Sequence, residues 1–135
     1  MANILILDDD LSSRRALALL LQQQKHNVYE ASHGQEGLRL AAKQPLALAI
    51  VDLMLPEKDG IETIIELRRS SDAIAIIAIS GGGDLGIGKD MLQIAKQLGA
   101  DRIFHKPIRG AELTAAVDDL LARNGAARAK VLNGA

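Results

Sequence analysis

Asp8, Asp9 and Asp10 follow the apolar run NILIL, Asp52 follows ALAIV, Ser80 follows AIAIIAI, and Lys106 stands two residues after RIF. Polar residues at such places could do chemistry, because ligands of an open parallel sheet bind beyond the carboxyl ends of its strands, where strand order reverses. If the first and third runs are neighbouring strands, Asp8, Asp9 and Asp52 converge, and clustered carboxylates either raise a pKa or recruit a cation. The donors are all oxygen and the chain has no cysteine, which suits a hard ion. Mg²⁺ fits ahead of Ca²⁺, since so few protein ligands leave room for water and a phosphate. The expected chemistry is metal-assisted phosphoryl transfer. The Asp52 carboxylate, already ionised at neutral pH, needs no general base to attack phosphorus and form an aspartyl phosphate. The Lys106 ammonium would stabilise the equatorial oxygens of the moving group, and the Ser80 hydroxyl would donate a hydrogen bond to it afterwards.

These residues are useful only if the runs behind them are strands. The runs at 3–7, 47–51, 73–79 and 102–104 lack polar alternation, as strands covered on both faces do, and NVYEA at 27–31 is a weaker fifth. Helical patterns lie between them. Leu113, Ala116, Val117, Leu120 and Leu121 form one apolar stripe, and Leu17, Leu20 and Leu21 mark the first helix. A third stripe, Ile87, Met91, Ile94, Ala95 and Leu98, predicts core packing. Ser32 with Gln35 and Asp59 with Glu62 have capping-box spacing, Asp10 reads as a helix start, and Gly99 as a C-cap. The alternation βαβαβαβαβα predicts an α/β fold: a doubly wound, five-stranded parallel sheet of order 2-1-3-4-5, helices on both faces. Residues 1–122 then form one domain. Residues 123–135 are small, polar and without a stripe, and are expected to be a short flexible tail.

Composition narrows the function further. Sixteen Lys and Arg against seventeen Asp and Glu give a net charge of -1 without blocks of either sign, so no electrostatic footprint for nucleic acid or membrane is expected. Tyr29 and Phe104 are the only aromatic residues, which leaves no stacking platform for bases. The absence of cysteine excludes disulfides and thiol catalysis, and no apolar run has membrane-spanning length. A cytoplasmic location is the expectation. His26, His33 and His105 lack metal-ligand spacing and read as surface residues.

The stretch GGGDLGIGKD at 81–90 offers an alternative, a small nucleotide-binding protein using Gly83 to Lys89 as a phosphate-cradling loop. The spacing fits, but Asp90 stands where a Ser or Thr would ligate Mg²⁺, and its carboxylate would repel the phosphates. Gly81, Gly82 and Gly83 make better sense as a hinge directly behind the Ser80 hydroxyl.

Taken together, ILILDDD, VDLMLPEKDG, AISG and HKP, in this order and spacing, resemble the receiver domain of two-component response regulators over residues 2–122. The resemblance implies a flavodoxin-like (βα)5 fold with Asp52 as phosphoacceptor. It implies that Asp8 and Asp9 are the acidic pair, with Asp9 a direct Mg²⁺ ligand and the Met54 main-chain carbonyl a further one. Ser80 would follow the phosphoryl group, Lys106 would be its ion-pair partner, and the bond to Pro107 would be cis. The donor would be a phosphohistidine on a sensor histidine kinase or histidine phosphotransfer protein. As a stand-alone receiver the chain would catalyse only its own phosphorylation and dephosphorylation, without conventional turnover. Its output would be contact with a downstream protein through the face formed by the fourth helix, fifth strand and fifth helix.

Three features depart from that pattern. Ile103 occupies the place of the usual switch aromatic, three positions before the lysine, and Phe104 is shifted by one and would face the opposite side of the sheet. Met54 sets an apolar side chain beside the site, where it would hinder hydrolytic water. The separation of Ser80 from Lys106 is a few residues longer than is common in receivers, the excess lying in the glycine stretch.

Overall fold

A computed structural model of the chain describes residues 1–54, 60–71, 73–81 and 87–134. The elements are β1 (Asn3–Leu7), α1 (Leu11–Gln23), β2 (Asn27–Ala31), α2 (Gly34–Lys43), β3 (Leu48–Asp52), α3 (Gly60–Ser70), β4 (Ala75–Ser80), α4 (Ile87–Leu98), β5 (Arg102–His105) and α5 (Gly110–Gly134). All neighbouring strands pair in parallel, in the order β2-β1-β3-β4-β5, as the alternation predicts.

Successive side chains of a strand point to opposite faces, so each strand feeds two cores. Leu5, Leu7, Ala49, Val51, Ile76 and Ala78 pack with Ile64, Leu67, Leu92 and Ala95 from α3 and α4. Ile4, Ile6, Leu48, Ile50, Ile77 and Ile79 pack with Ala18 and Leu21 of α1 and Leu113, Val117 and Leu120 of α5. Burial on both faces is the reason β1, β3 and β4 read as continuous apolar runs. The register is fixed accordingly, since a one-residue slip would exchange the two cores. Ile103 packs in the first core and Phe104 in the second, as their neighbouring positions in β5 require.

Two strand ends lie one residue further on than the apolar runs suggest. Asp52 pairs with Ile79 and Ser80 with His105, so the carboxylate and the hydroxyl belong to the last rungs of the ladder, not to loops behind it. Both are therefore positioned by main-chain hydrogen bonding.

Local signals hold in part. The Asp10 carboxylate accepts from the Ser13 amide as the N-cap of α1, and Gly99, directly after α4, has φ 126°, a conformation that favours glycine. The Ser32–Gln35 box is displaced by one residue. His33 is the N-cap of α2, and its Nδ1 accepts from the Glu36 amide, because the helix starts at Gly34. Asp59 lies outside the described residues.

The α4 stripe needs correction. Leu92 and Ala95 are buried, but Ile94 is 46% and Leu98 38% exposed, so the packed face is turned by about one residue from the one expected. The backbone continues α5 through Gly134. Among the described residues no helix is long and apolar enough to cross a membrane.

Candidate phosphoryl site

Beyond β1, the chain turns sharply into α1. The Asp8 amide continues the ladder to the Ala31 carbonyl at 3.1 Å. The Asp8 carboxylate is fully buried and accepts from the Asp10 amide at 2.9 Å, so it serves the turn as well as the site. Asp9 is exposed, and Asp10 caps α1.

At the end of β3 the Asp52 carboxylate, also buried, accepts from the Met54 amide at 2.9 Å. The main chain here is crowded: a Cβ on Gly60 would lie 2.5 Å from the Asp52 carbonyl oxygen and from the Leu53 Cα. Only glycine lets α3 begin so close to the strand end. Met54 is 48% exposed beside Asp52.

One carboxylate oxygen from each of Asp8, Asp9 and Asp52 lies within 4.8 Å of the others. Lys106 reaches this group from the end of β5. Its Nζ donates to Asp52 Oδ2 at 3.1 Å and to Asp8 Oδ2 at 3.2 Å. Its amide donates to the Ser80 carbonyl at 2.9 Å, which anchors the residue to β4. Gly81 lies flat against its stem, since a Cβ there would meet the Lys106 Cδ at 3.2 Å. The Lys106–Pro107 bond is cis, as expected. An open groove of about 460 Å³ runs beside Lys106, lined by residues of α1 (Ser13, Ala16 and Leu17) and by Gly81, Pro107 and Ile108.

The electrostatics reflect crowding of charge out of water. Burial pushes the Asp8 carboxyl above its ordinary range, and the nearby Asp52 charge adds to this. The Asp10 amide and the Lys106 ammonium oppose the shift without cancelling it. Burial pulls the Lys106 ammonium down, but the Asp52 and Asp8 carboxylates more than offset this, and its pKa is raised. One lysine therefore does not balance the carboxylates, and the all-oxygen cluster fits a hard divalent cation.

Ser80 is fully buried, and its Oγ has no hydrogen-bond partner among the described residues. A buried hydroxyl left unsatisfied costs about 1–3 kcal/mol, so it calls for a ligand or a functional reason. His105 is exposed and His33 is occupied at its helix end, which leaves neither in the cluster. Gly83 of the alternative phosphate loop lies outside the described residues, and the backbone of 87–90 forms the first turn of α4.

Sequence reasoning attached no role to Arg14 or Glu30. The Arg14 Nη1 donates to the Asp8 carbonyl at 2.9 Å, and its Nε meets Glu30 Oε1 at 3.1 Å. The spacing of Arg14 four positions behind Asp10, on the inward side of the first turn of α1, was the available signal.

The family model described as the response regulator receiver domain matches residues 4–118. The transcriptional regulatory protein AfsQ1 of Streptomyces coelicolor is 32% identical over 123 residues, covering 91% of this chain and 52% of the relative. The transcriptional regulatory protein SrrA of Staphylococcus aureus is 34% identical over 120 residues, covering 89% and 48%. The chain thus spans about half the length of the curated relatives it matches. Among solved structures, a response regulator receiver domain protein from Clostridium thermocellum superposes with TM-score 0.84 at 27% identity, covering 93% of this chain and 98% of that one. A CheY-like receiver from Methanospirillum hungatei, at 23% identity and TM-score 0.85 with 93% and 97% covered, shares the fold. None of these matches supports the nucleotide-loop alternative. With this sheet order, this strand-end cluster and a match across most of its length, the chain belongs to the response regulator receiver domain family.

Proposed function

We propose that the chain is a phosphoryl-accepting signalling switch in which Asp52 takes a phosphoryl group from a phosphohistidine of a sensor histidine kinase or histidine phosphotransfer protein. The observation that carries this reading is Lys106, which spans Asp52 and Asp8 at hydrogen-bond distance while the neighbouring Ser80 hydroxyl is buried without a partner among the described residues.

An Asp52 carboxylate oxygen attacks phosphorus. The new P–O bond forms as the P–N bond to the donor histidine breaks, and the imidazole leaves with its electron pair and takes a proton from solvent. The groove beside Lys106 gives the donor its approach. Asp8, Asp9, Asp52 and the Met54 main-chain carbonyl would hold Mg²⁺, which when bound supplies positive charge for the phosphoryl oxygens. Lys106 then follows the charge from the Asp52 carboxylate to the phosphoryl group. Ser80 donates its unpaired hydroxyl to a phosphoryl oxygen, drawing β4 and Gly81 toward the site. That displacement biases a pre-existing equilibrium of the face made by α4, β5 and α5, which a downstream protein reads. Direct contact with nucleic acid has no part in the reading, and the cytoplasm is its setting. Loss of the phosphoryl group to water completes the cycle.

The test is incubation with Mg²⁺ and a small acyl phosphate, followed by intact mass. One phosphoryl adduct is expected on the wild type and none on Asp52→Ala. An unmodified wild type, or an adduct that persists on Asp52→Ala, would overturn the assignment.

A further inference from the structure

The acidic residues behind β1 are not all held in the same way. Asp8 and Asp10 each spend a side-chain oxygen on a main-chain amide, at Asp10 and Ser13 respectively. Asp9 lies between them and is exposed, so the direction of its carboxylate depends on the peptide that precedes it. The oxygen of that peptide, the Asp8 carbonyl, accepts from the Arg14 guanidinium at 2.9 Å. The guanidinium is itself fixed by Glu30 in β2, at 3.1 Å from Nε to Oε1. Both side chains are largely out of water, 15% and 20% exposed, which favours a charge-assisted bond of defined geometry.

We propose that Arg14, braced by Glu30, is a positioning residue for the carboxylate cluster: by fixing the Asp8–Asp9 peptide, it sets where Asp9 presents its carboxylate to a divalent cation. The proposal rests on the reading of Asp8, Asp9 and Asp52 as the Mg²⁺ site. One guanidinium joins three elements here, the end of β1, the first turn of α1 and the end of β2. A lysine keeps the charge but lacks the fork that reaches the carbonyl and Glu30 together. Because Arg14→Lys keeps the positive charge, an effect of that variant on the cation is geometric. Arg15 supplies a control, because it meets the other Glu30 oxygen at 2.9 Å but is 66% exposed and does not touch the Asp8 carbonyl.

The experiment is titration of the full chain with Mg²⁺ by calorimetry, with thermal unfolding measured separately in chelator. Partners that orient metal ligands typically change affinity by about 10- to 100-fold. Arg14→Lys and Glu30→Gln are each expected to raise the Mg²⁺ Kd by about tenfold, and the double variant by little more than either, because the two act as a unit. Arg15→Gln is expected to stay within about twofold of wild type. A lowered unfolding temperature with the Kd unchanged in both Arg14→Lys and Glu30→Gln would show a purely structural role and overturn the proposal. Removing the Arg15 charge would by itself tighten Mg²⁺, so equal weakening by Arg15→Gln would show that support of Glu30, and not the contact to the Asp8 carbonyl, sets the affinity, and would also overturn the proposal. Asp9→Asn separates the two levels. If it binds Mg²⁺ like the wild type, the site reading itself has failed. If it loses Mg²⁺ while the Arg14 and Glu30 variants keep it, only the positioning role has failed.

Discussion

Lys106 and Asp52 close an ion pair at 3.1 Å across the intervening strand β4, joining the end of β5 to the end of β3. The pair exists because the ladder places both residues at one edge and because Gly81 leaves room for the lysine stem. Its loss should be felt in chemistry. Preorganised donors of this kind are worth about 100-fold or more in rate. Lys106→Met is therefore expected to slow phosphoryl uptake from a small acyl phosphate by about 100-fold, followed by intact mass over time. A rate within about threefold of wild type would remove Lys106 from the mechanism.

Ser80 gives a prediction of opposite signs in two states. Without phosphate its hydroxyl is buried and unsatisfied among the described residues, so Ser80→Ala should leave the protein as stable or stabilise it by about 1 kcal/mol in denaturant unfolding. With phosphate the hydroxyl gains a partner, and the variant should lose part of the stabilisation that phosphorylation confers on the wild type. A variant that unfolds earlier in the unphosphorylated state would mean that Ser80 already has a structural partner.

Asp8 contributes to the pH dependence of the metal-free protein. Its pKa is raised in the folded state above the ordinary 3.8, so between those two values the folded chain binds more protons than the unfolded one. Stability attributable to this group accordingly falls as pH rises through that window and levels off above the folded pKa. Asp8→Asn should abolish this fall and raise the melting temperature in chelator at neutral pH by ~3 °C. Mg²⁺ should stabilise the wild type by mass action and the variant far less. An Asp8→Asn protein that melts below the wild type in chelator would show that the carboxylate is stabilising as it stands.

Lys106 has the complementary behaviour. With its pKa raised above the ordinary 10.5, its contribution is present in full below that value and disappears as pH rises through the folded pKa. Below this window Lys106→Met should therefore be less stable than the wild type in denaturant unfolding, and the difference should vanish as pH rises through it.

Met54 sits half-exposed next to the Asp52 carboxylate, its amide already given to Asp52 Oδ1. An apolar side chain there is expected to obstruct an attacking water without binding it. Met54→Asn should shorten the lifetime of the phosphoryl group several-fold, measured as loss of the mass adduct after donor removal. An unchanged lifetime would take Met54 out of the hydrolytic step.

The sequence by itself determined the sheet and the identity of its polar strand ends, because two-sided burial leaves a simple trace: unbroken apolar runs followed by Asp8, Asp52, Ser80 and Lys106. It determined the opposite facing of Ile103 and Phe104 for the same reason, a period of two. Helix details were less legible. The N-cap at His33, the outward turn of Ile94 and Leu98, and the helical course of the backbone after residue 122 depend on where a helix begins and which neighbour it meets, and a one-residue shift in either looks the same along the chain.

Tertiary structure alone decided the rest. That Lys106 bridges Asp8 and Asp52 is a relation between residues far apart in sequence, while the close approach of Gly60 to the Asp52 main chain and the reach of Arg14 to the Asp8 carbonyl under the hold of Glu30 depend on how each helix packs against the strand ends. Residue type marks each of these positions as capable of chemistry or close approach. Only the register of the strands brings them within a few ångströms, because hydrogen-bonded ladders and not local propensity fix which strand ends meet.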